Sequence, residues 1–340
     1  MDWFEKLTGF RESGYGVTRS RLEVVGARLR SKINGQSYAV GVLETPSLKE
    51  LRQRARVALG DLAGSVKVSC VSGDVRTMHR DSANRNALFQ VASQFNLLEM
   101  TGPDITPEEG VTRYSDDHTQ GPACAIAAGA ATVYRNYFAD VDGQSGQNRH
   151  RQIDCLSDLG AALGNHGEAL WAMRNGYALC TDKGLTAIDR SLAASSDEQI
   201  NELRDLLRIG LHWNVEVTDA SNPRPLVSQA FCSALPVSYS SIPARRWRAF
   251  ATLVLEGAYE ATLWAATLNA HQSSSKVVFL TQVGGGAFGN DDSWVQDALR
   301  RALEIVKDIR LDVRLVSYGP PSAELVRLAY GINRDRAGCA

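Results

Sequence analysis

The stretch Val277–Asn290, VVFLTQVGGGAFGN, decides how the rest of the chain is read. Its apolar start has the composition of a buried strand. Gly284, Gly285 and Gly286 follow in a row, then Ala287, Phe288, Gly289 and Asn290. The next residues predict an amphipathic helix from about Asp291 to Asp308. A strand, a glycine turn and a helix start together make a device for holding phosphate. Glycines let backbone N–H groups approach an anion closely, and a helix N-terminus adds partial positive charge. A tight turn without a ligand is the alternative reading. Three adjacent glycines are a costly way to build one, because each loses conformational freedom on folding. The device is not a P-loop, since no Gly-Lys-Ser/Thr follows. It is not the dinucleotide fingerprint either, which belongs in the first strand–helix unit.

Working outward, the C-terminal half alternates strand and helix patterns, which predicts an α/β fold with a partly parallel sheet. Strands are expected over Val66–Val71, Ala87–Ser93, Leu226–Leu235, Val277–Val283 and Asp312–Tyr318, with His212–Thr218 alternating like an exposed edge strand. Ser47-Leu48-Lys49-Glu50 has the pattern of a capping box opening a helix. Gln120–Phe138 reads as one helix with Pro122 in its first turn, and Pro243 opens a long helix to about Ala270. No linker marks a boundary. The expectation is a single elaborated domain over residues 1–340, with an N-terminal extension over 1–60 and a core over 65–320. That core carries an insertion over about 140–220.

The 340 residues include 37 Lys and Arg against 38 Asp and Glu, so no global charge points to a nucleic-acid partner. Cys70, Cys124, Cys155, Cys180, Cys232 and Cys339 contain no C-x-x-C and lie mostly in apolar segments. Such scattered thiols fit a reducing compartment better than a disulfide framework. No signal pattern and no apolar run of about 18 residues is present, so no membrane partner is expected. The expected location is the cytoplasm, or a host cytosol into which the protein is delivered. The histidines lack metal-ligand spacing, so no metal site is expected.

Three strand ends carry polar loops: Gly73-Asp74, the Asn96–Glu99 segment, and the glycine loop. In open α/β sheets, ligands bind beyond the carboxyl ends of strands, so these loops point to one cleft. Gln120 and Gly121 stand at a second helix start, suited to a second phosphate. Asp116 and Asp117 precede it, and either cap that helix or do chemistry. Glu99 follows two leucines; it either enters the cleft as a general acid–base or ends a strand at the surface. Asp74 either accepts from an adenine amine or makes an Asx turn.

The segments QVASQFNLLEM (90–100), TQGPACAIAAGAATVYRNYF (119–138) and FLTQVGGGAFGN (279–290) occur in that order. In this respect the chain resembles the macrodomain superfamily, and within it the divergent MavL-like ADP-ribosyl hydrolases. It departs from ordinary macrodomains in carrying SQFNLLE where they have an asparagine pair, and DDHTQGPA where they have a glycine run. The resemblance implies a three-layer α/β/α fold with a mixed sheet, and ADP-ribose as ligand and product without a cofactor. It implies an enzyme that removes ADP-ribose from a modified protein side chain, arginine among the candidates and ubiquitin among the partners. A non-catalytic reader of ADP-ribose, or a hydrolase of a free ADP-ribose derivative, is the alternative. Carried onto this chain, Glu99, Asp116 and Asp117 are the expected catalytic residues. Asp74, Asn96, Gln120, Gly121 and Gly284 through Asn290 are the expected ligand contacts.

Overall fold

The computed structural model describes residues 1–273 and 275–337. Cys339 lies outside them. Seven strands form a mixed central sheet in the order Val42–Glu44, Gly210–Glu216, Leu226–Cys232, Leu88–Ala92, Val277–Leu280, Asp312–Ser317, Lys67–Ser72. The last five run parallel, and Gly210–Glu216 pairs antiparallel with both of its neighbours. Parallel strands are covered on both faces, which is why Leu88–Ala92 is buried almost throughout. On one face Gln90 donates to Thr262 of the helix Arg248–Ser273 at 2.9 Å. On the other, Phe89 stacks on His79 of the helix Val75–Arg80 at 3.8 Å. The architecture is thus three-layer α/β/α, as expected.

The 26-residue helix Arg248–Ser273 is apolar around most of its girth because it packs on helices Leu48–Ala58 and Asp292–Ile305 as well as on the sheet. Its one deeply buried charge, Glu260, is held by Arg52 at 2.6 Å and Arg301 at 2.7 Å. Burial pushes this carboxyl up, but the two guanidinium hydrogen bonds outweigh it and hold it below the usual range. No described helix is long and apolar enough to cross a membrane.

Two local expectations change. Gln120–Phe138 is not one helix but two, Gln120–Ala127 and Gly129–Tyr137, broken at Ala128. The cause is remote in sequence. Asp219 N–H takes the Ala127 carbonyl at 3.2 Å, and the Trp3 ring sits where a side chain at Gly129 would stand. The segment read as an edge strand is second from the edge, because Val42–Glu44 pairs outside it. Its polar look comes from an irregularity between His212 and Val215, where Asn214 turns outward at φ 55°.

The first 40 residues form two short helices and a three-stranded sheet. Phe4, Leu7, Phe10, Leu29 and Tyr38 make an apolar cluster with Leu98, Met100, Tyr114 and Tyr137. The N-terminal segment therefore packs behind the loop that carries Glu99 and Asp117.

His79 yields a stability prediction. It is fully buried, its Nδ1 lies 2.8 Å from the Val75 carbonyl, and its Nε2 lies 3.2 Å from the Gln229 amide nitrogen. The ring is therefore neutral, donating from Nδ1 and accepting at Nε2. Burial pulls its pKa down from 6.5 to about 4. Unfolded chains take up the proton first, so this contribution is complete above pH 6.5 and lost as pH falls through about 4. Its size is about 3 kcal/mol. Denaturant unfolding of the wild type and His79→Leu between pH 7 and 4 checks this: the variant should show the shallower loss.

Candidate active site

A cavity of about 220 Å³ opens at the carboxyl ends of Leu88–Ala92, Leu226–Cys232 and Val277–Leu280. Glu99, Asp117, Gln120, Gly121, Gly284, Gly286, Ala287 and Phe288 all line it. Ser93, Gln94, Thr101, Tyr177, Tyr239, Thr281 and Gln282 also line it.

Glu99 is presented by a tightly pinned loop. Leu97 adopts φ 64°, an uncommon left-handed conformation for a bulky residue. The loop holds it there: Arg135 Nε donates to the Leu97 carbonyl at 3.1 Å, and Gln147 donates to the Asn96 carbonyl at 3.0 Å. Asn96 is spent inside the loop, accepting from Leu98 N–H at 3.1 Å and donating to Gln152 at 2.8 Å. It is buried and does not line the cavity. Gln94 clamps both backbone polar groups of Met100 with its amide, at 2.9 and 3.2 Å.

The Glu99 side chain that results is only 2% exposed, and its Oε1 is buried with no hydrogen-bond partner among the described residues. Burial pushes this carboxyl well above its ordinary value; Arg135 pulls the other way, and Asp117 adds to the rise. Arg135 is itself buried, 3.9 Å over the Phe231 ring and bonded to Thr132. His212 sits 3.4 Å from it and is kept neutral by burial and by that positive charge. The product is a buried carboxyl in the cavity wall whose environment favours the protonated form, with one oxygen unpartnered among the described residues.

Asp117 lies beside it and is half-buried, with Oδ1 accepting from Thr119 N–H at 2.8 Å. Asp116, one residue earlier, is exposed and lies outside the lining. His118 is also exposed.

The helix Gln120–Ala127 is docked on the central strand by Gln120, whose amide donates to the Gln90 carbonyl at 2.8 Å and accepts from Ala92 N–H at 2.9 Å. The Gln120 side chain is therefore committed to the sheet. Gly121 is required by close approach: a Cβ there would overlap the Ala92 carbonyl and Glu99 Oε2. Thr119 gives that helix no side-chain cap.

The glycine loop is fixed by its carbonyls. Ser238 donates to the carbonyls of Phe288, at 3.0 Å from its backbone N–H, and of Ala287, from its hydroxyl. Asn290 donates to the carbonyls of Leu235 at 2.8 Å and Gly284 at 3.2 Å, so its amide is a loop fastener outside the lining. Among the described residues none accepts from the N–H groups of Gly286, Ala287 or Phe288. Three successive amides without a protein acceptor, on residues that line the cavity, are suited to receiving an anion. The following helix contributes less than expected. Asp291 caps it by accepting from Ser293 N–H at 2.9 Å, and the hydrogen bonds from Ser293 hold this carboxyl below its usual range. Gly285 and Gly289 shape the loop without lining the cavity.

Phe288 packs into the wall, 5.3 Å from Tyr177 and 5.6 Å from Tyr239. Tyr177 donates to the Met100 carbonyl at 2.6 Å. The two tyrosines come from remote segments, and nothing local in the sequence marks them. Asp74 caps Val75–Arg80, accepting from Arg76 N–H at 2.9 Å and Thr77 Oγ1 at 3.2 Å, and lies outside the lining. No group of side chains suited to a metal ion occurs among the described residues.

No protein-family model and no curated protein matches this chain. Among solved structures it is similar to poly(ADP-ribose) glycohydrolase from Deinococcus radiodurans in complex with ADP-ribose. Identity there is 12% and the TM-score 0.46, over 97% of this chain and 100% of that one. It is similar also to poly(ADP-ribose) glycohydrolase from Thermomonospora curvata bound to the inhibitor ADP-HPD, at 12% identity and a TM-score of 0.43, over 91% and 93% of the two chains.

Proposed function

We propose that this protein is an ADP-ribosyl hydrolase that binds ADP-ribose in the cavity and releases it from a modified protein side chain. One observation carries the reading. A buried Glu99 with an unpartnered oxygen, its pKa pushed up by burial, shares a cavity with a loop of unpaired backbone amides. The amides of Gly286, Ala287 and Phe288 suit a diphosphate. An acid held protonated suits a departing glycosidic group. A non-catalytic reader would need the loop but not the acid.

In the proposed reaction, water attacks the anomeric carbon of the distal ribose. The bond from that carbon to the side-chain heteroatom breaks, and its electron pair leaves with the side chain. Glu99 gives its proton to that leaving atom, and Asp117 orients the water and takes its proton. ADP-ribose with a free anomeric hydroxyl and an unmodified side chain result. Both proton transfers belong to side chains, and the scheme calls on no cofactor. Asp74, two strands along the sheet from Val277–Leu280, is the proposed adenine partner, with the aromatic wall of Tyr177, Tyr239 and Phe288 beside the ribose.

We propose arginine as the linked residue, since paired acids suit a leaving guanidinium. The MavL-like branch, ubiquitin as a modified partner and a cytosolic setting are parts of the same proposal, and they rest on the motif resemblance. The test is calorimetric titration with ADP-ribose, with AMP and ADP as controls, followed by release assays on arginine-, glutamate- and serine-linked substrates. ADP-ribose should bind more tightly than ADP, and the arginine-linked substrate should be cleaved. Failure to bind any of the three would overturn the reading.

A further inference from the structure

We propose that Glu12, in the N-terminal segment, is a positioning residue for the acids of the cavity, so that this segment is a working part of the site. The inference rests on the hydrolase reading above. Glu12 lies far from Glu99 and Asp117 in sequence and does not line the cavity. Its carboxylate is nonetheless the hub of the loop that carries them. Oε2 accepts from Thr112 N–H at 2.7 Å, and both oxygens lie 2.9 Å from Val111 N–H. Oε1 also accepts from the Tyr137 hydroxyl at 2.7 Å. Gly110 makes room for it, since a Cβ there would overlap the carboxylate.

These amides open the short helical turn Thr112–Asp116, and an anion at that end favours the turn. The turn fixes two things. Tyr114, fully buried, accepts from Glu99 N–H at 3.0 Å through its hydroxyl. Asp117 N–H closes the turn onto the Tyr114 carbonyl at 3.4 Å. A path of four groups thus runs from Glu12 through the 111–112 amides and Tyr114 to both acids. Trp3 adds a second tie, donating to the Thr112 carbonyl at 3.1 Å. With Glu12 neutralised, the turn loses its charged cap, and Glu99 and Asp117 lose their fixed separation while the glycine loop is untouched.

The test compares the wild type with Glu12→Gln, Tyr137→Phe and, as a control on the same segment, Glu5→Gln. Among the described residues the Glu5 carboxylate pairs only with the exposed Arg11, at 3.4 Å. Glu12→Gln should lower kcat for ADP-ribose release by about 10- to 100-fold while KM and ADP-ribose affinity stay within about threefold. Tyr137→Phe should give a smaller fall in the same parameter, and Glu5→Gln none. Hydrogen exchange at the Glu99 and Asp117 amides reads the brace without substrate, and it should quicken at least about tenfold in Glu12→Gln. Unchanged exchange, or unchanged kcat in an active enzyme, overturns the inference. So does a loss shared equally by kcat, affinity and melting temperature. An inactive wild type whose Glu12→Gln variant still shows quickened exchange would sink the hydrolase reading and leave the brace standing.

Discussion

Glu99→Gln should release ADP-ribose from a modified side chain about 10²- to 10⁴-fold more slowly than the wild type, with affinity for free ADP-ribose nearly unchanged. The amide keeps the volume and the shape of the acid, and the glycine loop that would hold the diphosphate is built from other elements. What disappears is the transferable proton. A group that only filled space would cost no turnover when replaced by its amide. Equal rates for the two proteins would therefore remove Glu99 from the chemistry, whatever happened to stability.

The same substitution has a second readout with a definite sign. Burial raises the Glu99 pKa in the folded state, so the folded protein holds this proton more tightly than the unfolded chain does. The penalty of ionising it is absent below the ordinary carboxylate pKa and grows as pH rises through the folded-state value. Glu99→Gln cannot ionise. It should gain stability relative to the wild type as pH rises above the ordinary carboxylate pKa, and the gap should close toward acid. Thermal unfolding across that range checks it. The activity of the wild type should fall over the same alkaline limb, because the general acid is lost there.

The parts of the site that were legible in the sequence are those whose chemistry is local. A glycine triplet after an apolar run places itself at a strand end, Glu99 follows such an end, and Asp117 precedes a helix start. Residue type alone was a poorer guide to what a polar side chain does. Asn96, Gln120 and Asn290 all have amides suited to a ligand, yet backbone groups of the loop or sheet occupy each of them. Buried backbone polar groups need partners, and an amide that carries both donor and acceptor meets that need at a strand end or a tight loop. Tyr177, Tyr239 and Glu12 were not legible for the opposite reason. Their roles come from segments that meet only in the folded chain, as does the break at Ala128 forced by Trp3 and Asp219.

Two substitutions in the glycine loop separate folding from binding. Gly284 has φ 76°, and a Cβ on it would overlap that of Ala234. Gly284→Ala should therefore destabilise the protein by about 1–3 kcal/mol, the usual cost of a left-handed non-glycine residue, with more to come if Ala234 cannot yield. Gly286 is different. Its φ is not in the left-handed region, and nothing lies within 4 Å of where its Cβ would be. The fold does not require glycine there, and Gly286 lines the cavity beside the unpaired amides of 286–288. Gly286→Glu should leave the melting temperature nearly unchanged, because the side chain meets no neighbour. It should weaken ADP-ribose binding at least about 100-fold, close to 3 kcal/mol, because a carboxylate would then occupy or repel from the anion position. Calorimetric titration beside thermal unfolding reads both quantities on the same samples. Undiminished binding by Gly286→Glu would mean that the diphosphate lies elsewhere and that these three amides are satisfied by water. Lost binding with an unshifted melting temperature would assign the open glycine to the ligand and the strained one to the fold.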